Sequence, residues 1–537
     1  MNYGRLLEEL EQASGDFQVP ATRFAAEKML QDLGKRPDAV DFGKYALVNS
    51  SIGTAKFFAL RGIKESVISS YAVMGLASAL SLRDELLQLA LTNSRDIESF
   101  VLDSLCWVIA VITKRAWMDS TEDQRISFTH VLCEDIKRHN TPCIGLVVAA
   151  YLIDEISGGS KCSEFSLPWE FHYLCKQSFE NTHLKLLFEA ALNVMHHQLQ
   201  RSLDTQGVSP GGSRTIAYER RSALHVAERA LGWSFTSSDE NKVIDLAFGS
   251  SGAVSKAGAS GRRSGSSAHL GDLEDGDEYN KPGHAILDNE LQNRTPFFPT
   301  EWQDLLLNND VLALFFSIYE ATLNDQMHIY FSPGSSHMAL QCMIQISGLR
   351  GKLIFKQTET KSADTLRAHY ATAIMQNQLR IIRHVCTMDL TSDASEEMVV
   401  ATTQMIRRFI EAQLDEQPET TVAGERLHPL ALLAAGVPET FEYFGEVSRF
   451  ICLLLRATSG ILKTGDHEGY EDFGDMDNYF VMQAFDELAS AWTSIINEIR
   501  EWRFQVEASG GAEQGQLLGS SSDIAGADTD GQIGNRS

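Results

Sequence analysis

The stretch Ser99-Phe-Val-Leu-Asp-Ser-Leu-Cys-Trp-Val-Ile-Ala-Val-Ile-Thr-Lys-Arg-Ala-Trp-Met-Asp119 decides the fold class. Read at helical spacing, five of its residues share one apolar stripe: Leu102, Leu105, Cys106, Ile109 and Ile112. Four more apolar residues lie on the remaining faces: Val101, Trp107, Val108 and Val111. A helix that is apolar nearly all round must be buried between several neighbours. The uninterrupted apolar run, 105–113, is far shorter than the roughly 20 residues that cross a membrane. We therefore expect a buried helix of a layered, all-helical protein, without membrane insertion.

Helical periodicity continues on both sides of this stretch, whereas strand signals are weak throughout. Upstream, the pattern predicts helices over 3–13, 20–34, 42–48, 55–80 (one helix or a broken pair) and 82–91. Downstream, it predicts helices over 125–138, 143–156, 184–203, 215–231, 302–323, 337–349, 365–388, 395–414, 440–462 and 476–504. Paired helices that recur about every 40 residues are typical of HEAT and armadillo repeats. The sequence therefore predicts an all-α fold, a HEAT/armadillo-like α-solenoid in which antiparallel helix pairs form a superhelix.

Two stretches interrupt this helical pattern. Residues 249–296 are first Gly/Ser-rich and then acidic, and the tail 507–537 has the same character. Neither stretch has enough large apolar side chains to offset the entropy of ordering the chain. We therefore predict helical repeats over 1–248 and 297–506, a flexible insertion over 249–296 and a disordered tail over 507–537.

Composition limits the class of partner. The chain has 537 residues and a formal charge of −26, which argues against nucleic-acid and anionic-membrane binders because both require a basic surface. An acidic chain suits basic protein surfaces, although acidity also simply keeps a large protein soluble. The eight cysteines show no C-x-x-C spacing, as expected in a reducing compartment, and the N-terminus lacks the apolar core of a signal peptide. We expect a protein of the cytoplasm, the nucleus or both.

Signals for chemistry are thin. Gly348-Leu-Arg-Gly-Lys352 lacks the spacing and the Ser/Thr of a phosphate loop. His196 and His197 are adjacent, so on a helix they point about 100° apart and cannot share one ion. Asp475-Met-Asp477 begins like a calcium loop, but Phe480 stands where the turn glycine is required. We therefore predict no catalytic residue, no metal site, no cofactor and no enzymatic activity.

Basic residues near the opening stretch allow two interpretations. Lys56, Arg61 and Lys64 follow one another along the 55–80 helix, and Lys114 and Arg115 end the 99–119 helix. Such charges often belong to solvated helix faces or complement the helix dipole. Alternatively, they form an inner row on the concave side of the solenoid that docks a partner protein.

Several motifs resemble the nuclear exportins of the importin-β superfamily, most closely the exportin-4 type. The 108–119 segment resembles the end of an early repeat, and Leu167-Pro-Trp-Glu-Phe-His-Tyr-Leu-Cys-Lys-Gln-Ser-Phe179 contains the family's Glu-Phe-His-x-x-Cys-Lys-x-x-Phe stretch. Further matches follow in the family's order: Leu231-Gly-Trp-Ser-Phe235, the helix from Trp302 to Phe316, Leu340-Gln-Cys342 with Ile346, and Phe485 to Trp492. The resemblance covers about residues 1–505, the N-terminal half of the family's pattern.

The resemblance implies a transport receptor that binds Ran in its GTP state together with a protein cargo. Implied cargoes are proteins like translation initiation factor five-A or Smad-type transcription factors. It also implies contacts with nuclear pore proteins and shuttling, as a monomer, between nucleus and cytoplasm through the pore. In this superfamily Ran lies on the inner helices of the first repeats, which makes Lys56, Arg61, Lys64, Lys114 and Arg115 exposed candidates for Ran contact. The alternative function is a non-transport HEAT-repeat scaffold that organises a protein complex.

Overall fold

A computed structural model describes the chain over residues 3–138, 143–157, 169–204, 210–233, 298–323, 334–350, 360–390, 395–414, 440–464 and 480–497, with a few single residues between them. The chain forms two compact units, Met1–Phe355 and Lys356–Ser537. No strand occurs in these described ranges, and helices account for nearly all of them. The predicted all-α solenoid is confirmed. The predicted insertion 249–296 and tail 507–537 lie outside the described residues, so the predicted domain boundaries there remain predictions.

The first unit begins with nine helices up to residue 231 in the described part of the chain. They are α1 (Tyr3–Asp16), α2 (Arg23–Gly34), α3 (Ala39–Asn49), α4 (Gly53–Asn93), α5 (Ser99–Ala116), α6 (Glu122–Lys137), α7 (Ile144–Ser157), α8 (Trp169–Asp204) and α9 (Pro210–Leu231). After residue 298 follow a 3₁₀ turn (Thr300–Trp302), α10 (Gln303–Leu306), α11 (Asn309–Leu323) and α12 (Ser335–Ser347).

The helix α4 is two helices joined at a glycine. Gly75 has φ 74° and ψ 162°, a left-handed backbone conformation that glycine adopts without a Cβ clash. Gly43 of α3 lies against Ile63, and its neighbour Lys44 places Nζ 3.0 Å from the Oε2 atom of Glu85. In one straight helix Ile63 and Glu85 would lie about 33 Å apart, too far for both contacts. The chain therefore folds back at Gly75 into α4N (residues 53–74) and α4C (residues 76–93). The sequence allowed a break within 55–80, but the separate helix predicted over 82–91 was wrong, because those residues continue α4C.

Among the described helices, α4 alone is long and apolar enough to cross a membrane by length and composition, with 41 residues and a mean hydropathy of 1.2 in its most apolar stretch. The reversal at Gly75 divides that length between two antiparallel segments. Both segments have protein neighbours, because α4 packs against α1, α2, α3 and α5.

Helices of the first unit stack in two layers. The first layer runs α4N, α5, α7, α9 and α12, and each of these helices packs on the next. The second layer runs α4C, α6, α8 and α11, where Arg83 of α4C lies 4.2 Å from the ring centre of Phe128 on α6. The pairs α6·α7, α8·α9 and α11·α12 join the layers. Since the main contacts among the described helices of the first unit join successive members of the stack, this is the solenoid arrangement.

The stretch quoted at the start of the sequence analysis forms α5, which packs between α4 and α7 in the first layer. Its apolar side chains are buried on every face except at Phe100, which is exposed, and Trp107, which is half-buried. Next to it, α6 begins with a capping box between Thr121 and Gln124. The buried Asp135 carboxylate of α6 accepts the Gly145 N–H at 2.8 Å and so caps the start of α7. The buried helix predicted from the sequence is confirmed.

The second unit contains α13 (Thr360–Val385), α14 (Glu396–Leu414), α15 (Thr440–Thr464) and a further helix, α16, over residues 480–497. The helix α13 packs against both α14 and α15. Buried polar contacts fix these pairs: Arg367 donates to the side chain and backbone oxygens of Gln413, and the Tyr443 hydroxyl donates to Gln378 Oε1. Arg407 of α14 and Phe444 of α15 contact α16 through Glu487 and Trp492.

Candidate partner-binding surface

The structure brings the five candidate cations onto two adjacent helices of the first layer. Lys56, Arg61 and Lys64 lie on α4N, and Lys114 and Arg115 lie in the last turn of α5. Their surroundings differ so strongly that they do not form one uniform row.

Arg61 is the most open of the five. Its side chain is 49% exposed and pairs with Glu65, one helical turn away, at 3.0 Å. Both residues line a small surface cleft between α2, α4N and Phe17, which follows α1, and its apolar lining also includes Leu30 and Phe58. Lys56, on the same segment, is half-buried. An exposed pair at this spacing contributes only a few tenths of a kcal/mol to stability, so Arg61 is available for a partner.

Lys64 lies on an aromatic ring of the neighbouring helix. Its Nζ atom is 4.1 Å from the ring centre of Trp107 on α5, a distance at which the cation interacts with the ring's negative face. The indole Nε1–H of Trp107 donates to Glu155 Oε1 on α7 at 2.7 Å. The position of Lys64 is thus tied to α5 and α7, the next two helices of the first layer.

Lys114 is not exposed, which corrects the prediction for this residue. Only 2% of its side chain is accessible, and its ammonium donates to the backbone oxygen of Glu155 and lies 3.8 Å from Glu155 Oε2. The lysine stem is long enough to reach from α5 to the C-terminal turn of α7, where carbonyl groups need donors. Its charge is therefore used inside the protein.

Arg115 is half-buried and stacks on Tyr71 of α4N, with 4.0 Å between its Cζ atom and the ring centre. The Tyr71 hydroxyl donates to Asp119 Oδ2 at 2.9 Å. Burial first, and then the hydrogen bond to Asp119, raise the pKa of Tyr71 to about 12. Arg115 therefore joins α4N to α5, and part of its guanidinium is turned inward.

Several of the motifs that carry the family resemblance pack against one another in the core of the first unit. Trp117 follows α5 and lies against Phe179 and His183 of α8, with ring centres 5.5 and 4.9 Å apart. Phe179 in turn lies 5.7 Å from Trp233, whose Nε1–H donates to the buried Glu180. Further along, Trp302 contacts Phe188, Phe235 and Phe298. These aromatic residues connect successive repeats, so the motifs consist of residues that pack one repeat against the next.

His183 is fully buried within this aromatic chain. Its Nδ1 atom and the Thr129 hydroxyl lie 2.8 Å apart, and Nε2 is 3.7 Å from Glu122 Oε1. Burial lowers the pKa of His183 to about 4 despite the nearby carboxylate. The imidazole is therefore neutral near pH 7.

Sequence reasoning missed the acidic pair at the end of α7. Glu155 binds Trp107 and Lys114 of α5, while the adjacent Asp154 pairs with Arg229 of α9 at 2.9 Å and lies 3.4 Å from His225 Nε2, which accepts a hydrogen bond from Arg229. Carboxylates in the last turn of a helix interact unfavourably with the helix dipole. Their presence at the end of α7 was the sequence signal that cations of other helices would pair with them.

Groups of three or more metal-ligating side chains are absent from the described part of the chain. The Lys352 and Asp475–Asp477 positions weighed for phosphate and calcium lie outside the described residues. The cysteines at 106, 133, 143, 175 and 342 are buried free thiols, as expected for small apolar residues.

The helices that build this surface also match a known family. Residues 1–256 match the family described as Exportin-4. The resemblance to exportins is confirmed. An Exportin-4 from Dictyostelium discoideum is 24% identical over 185 residues, which cover 32% of this chain and 16% of that protein.

Other exportin-type proteins match a longer part of the chain. An Exportin-7-A from Xenopus laevis is 20% identical over 366 residues, covering 68% of this chain and 27% of that protein. Ran-binding protein 17 from Homo sapiens is 20% identical over 362 residues, covering 67% and 27%. The chain thus spans only about a sixth to a quarter of the length of these exportin relatives.

Proposed function

We propose that this chain supplies repeats of a nuclear export receptor that binds Ran-GTP and a protein cargo. The observation that carries the proposal is the exportin match over residues 1–256, which falls on the helices of the two-layer solenoid. The name of the human relative, Ran-binding protein 17, adds support for Ran as the partner.

The architecture suits a receptor that encloses its partners. Repeats that touch only their neighbours bend slightly at each interface, so a solenoid adapts to a large partner surface. Export requires that Ran-GTP and cargo strengthen each other's binding, typically by about 5–150-fold. Hydrolysis of GTP on Ran then releases the cargo, and the receptor itself performs no chemistry. Cargo would be a protein like translation initiation factor five-A or a Smad-type factor, carried by a monomeric receptor past nuclear pore proteins between nucleus and cytoplasm.

Within this proposal, the Ran contact lies on α4N. Lys56, Arg61 and Lys64 keep at least part of their side chains at the surface. Arg115 contributes at the edge, where it stacks on Tyr71. Lys114 supports the surface from below, because its ammonium is already bound by Glu155.

The first test is binding to Ran locked in its GTP or GDP state, by pull-down and titration with the full chain. We expect binding that is strongly selective for the GTP state. Equal binding in both states, or no binding in either, would reject the receptor function and favour the scaffold alternative.

The second test maps the surface. The triple variant Lys56→Glu, Arg61→Glu, Lys64→Glu should lose most of the Ran-GTP binding while its helical circular dichroism is retained. Lys137→Glu is the matched control, because Lys137 is an exposed cation of the second layer that also pairs within its own helix. If control and triple variant weaken binding alike, the contact does not lie on α4N.

A further inference from the structure

A chain of three side chains crosses the first layer beneath the candidate surface. Lys64 of α4N lies over the Trp107 ring of α5, and Trp107 donates its indole N–H to Glu155 of α7. None of the three is adjacent in sequence to another, so only the stacking of α4N, α5 and α7 brings them together.

Glu155 is itself held in place from two directions. One carboxylate oxygen accepts the Trp107 N–H at 2.7 Å, and the other lies 3.8 Å from the Lys114 ammonium. The same ammonium bonds the Glu155 backbone oxygen, so both the side chain and the helix end are anchored. With 12% of the Glu155 side chain exposed and 2% of Lys114, this anchor lies below the surface where solvent screening is weak.

This anchor fixes the orientation of the indole ring. A hydrogen bond from a ring N–H to a carboxylate restricts the rotation of the ring about its side-chain torsions. A lysine side chain has many rotamers, and an aromatic ring beneath the ammonium reduces the number it samples.

We propose that Glu155 is a positioning residue for partner binding, acting through Trp107 to hold the Lys64 ammonium where Ran-GTP meets it. The inference rests on the proposed function, because it assigns Lys64 to the Ran contact. It adds that a buried carboxylate two helices away determines how well that contact forms.

The test is a mutant cycle in the full chain, read out as the dissociation constant for Ran locked with a non-hydrolysable GTP analogue. Lys64→Ala should weaken binding about two- to fivefold, the loss expected when one solvent-accessible ion pair with the partner is removed. Glu155→Gln and Trp107→Phe, which keeps a ring but lacks the N–H, should each weaken binding by a similar or smaller factor. The double variant of Glu155 and Trp107 should bind like either single variant.

The decisive arm is Glu155→Gln in the Lys64→Ala background, where we expect less than about a twofold further loss. Lys64→Arg should bind within twofold of the natural chain, because a guanidinium also stacks on an indole. Glu85→Gln is the matched control: Glu85 pairs with Lys44 beside α4C, away from this surface, and should leave binding unchanged.

The outcomes separate the two ideas. If the natural chain does not bind Ran-GTP, both the proposed function and this inference are rejected. If binding occurs but Glu155→Gln and Trp107→Phe leave it unchanged, or if Glu155→Gln weakens it equally with and without Lys64, only the positioning role is overturned. Because Glu155→Gln leaves Lys114 without its counter-charge, melting is recorded for each variant, and Trp107→Phe decides the question if Glu155→Gln does not fold.

Discussion

Lys114 at the end of α5 and Arg61 in the middle of α4N look alike in sequence, since each is a basic residue on an apolar helix of the first layer. Lys114 is 2% exposed and bound by another helix, whereas Arg61 is 49% exposed and pairs with Glu65 of its own helix. The difference comes from position in the stack. The helix α5 lies between α4 and α7, while the face of α4N that carries Arg61 borders a surface cleft lined by α2 and by Phe17. A cation on α5, which neighbouring helices cover, therefore has a structural role. A cation on the exposed face of α4N is available to a partner.

Charge reversal at Lys114 tests whether its ammonium is buried against α7, and of these variants it should have the largest effect on stability. Lys114→Glu places a second carboxylate beside Glu155 in a site that excludes water, which we expect to cost more than about 4 kcal/mol. Thermal unfolding followed by circular dichroism should show a large loss of melting temperature or no cooperative transition. Arg61→Glu is the control, and equal melting of the two variants would contradict the assignment.

Acidification should destabilise the aromatic core around Trp117 through His183 of α8. In the unfolded chain this histidine takes up a proton near pH 6.5, whereas burial holds its folded pKa at about 4. Stability is therefore fully present above pH 6.5 and falls as the pH drops towards 4, by up to about 3 kcal/mol. Urea unfolding at pH 7 and pH 4.5 measures the loss.

Two glutamine variants identify the histidine responsible. His183→Gln should flatten the pH dependence, while His130→Gln, at an exposed position of α6, should leave it as steep as in the natural chain. A slope that survives His183→Gln would assign the effect to other groups.

Two glycine-to-alanine variants compare the packing density of α7 with that of α4N. A Cβ on Gly145 of α7 would lie 2.5 Å from the Leu132 backbone oxygen, so Gly145→Ala should cost about 1–3 kcal/mol. On α4N, the nearest atom to a Cβ on Gly62 is the Gly34 Cα at 3.4 Å, and Gly62→Ala should change stability by less than about 1 kcal/mol. Denaturant midpoints of the two variants measure the difference. A larger loss for Gly62→Ala would show that α4N is the more tightly packed helix.

The smallest effect on stability is expected at Arg61. Arg61→Ala removes an exposed pair one turn apart, which should cost less than about 0.5 kcal/mol. The same variant should still weaken Ran-GTP binding measurably if the proposed surface is right. A large shift in melting temperature would show that Arg61 supports the fold and belongs with Lys114.

Apolar periodicity predicted most helices and the fold class, because buried stripes such as that of α5 depend only on local sequence. It did not locate the reversal in α4, since the apolar pattern runs through Gly75 and the break depends on the backbone conformation of that one residue. Burial of Lys114 was also missed, because it depends on Glu155, 41 positions along the chain. Charges near a helix end can be recognised from the sequence, but which of them is covered depends on how the repeats stack.

The acidic pair at the end of α7 also has a mechanical consequence. A superhelix bends through small rotations at each interface between neighbouring repeats. Asp154 binds α9 and Glu155 binds α5, so a rotation of α7 against either neighbour stretches charged contacts that hold three helices together. The segment from α5 to α9 therefore acts as a stiff block within a pliable array. The helix α4N, which carries the cations proposed to meet the partner, is joined to this block where Lys64 lies on Trp107 and Arg115 on Tyr71.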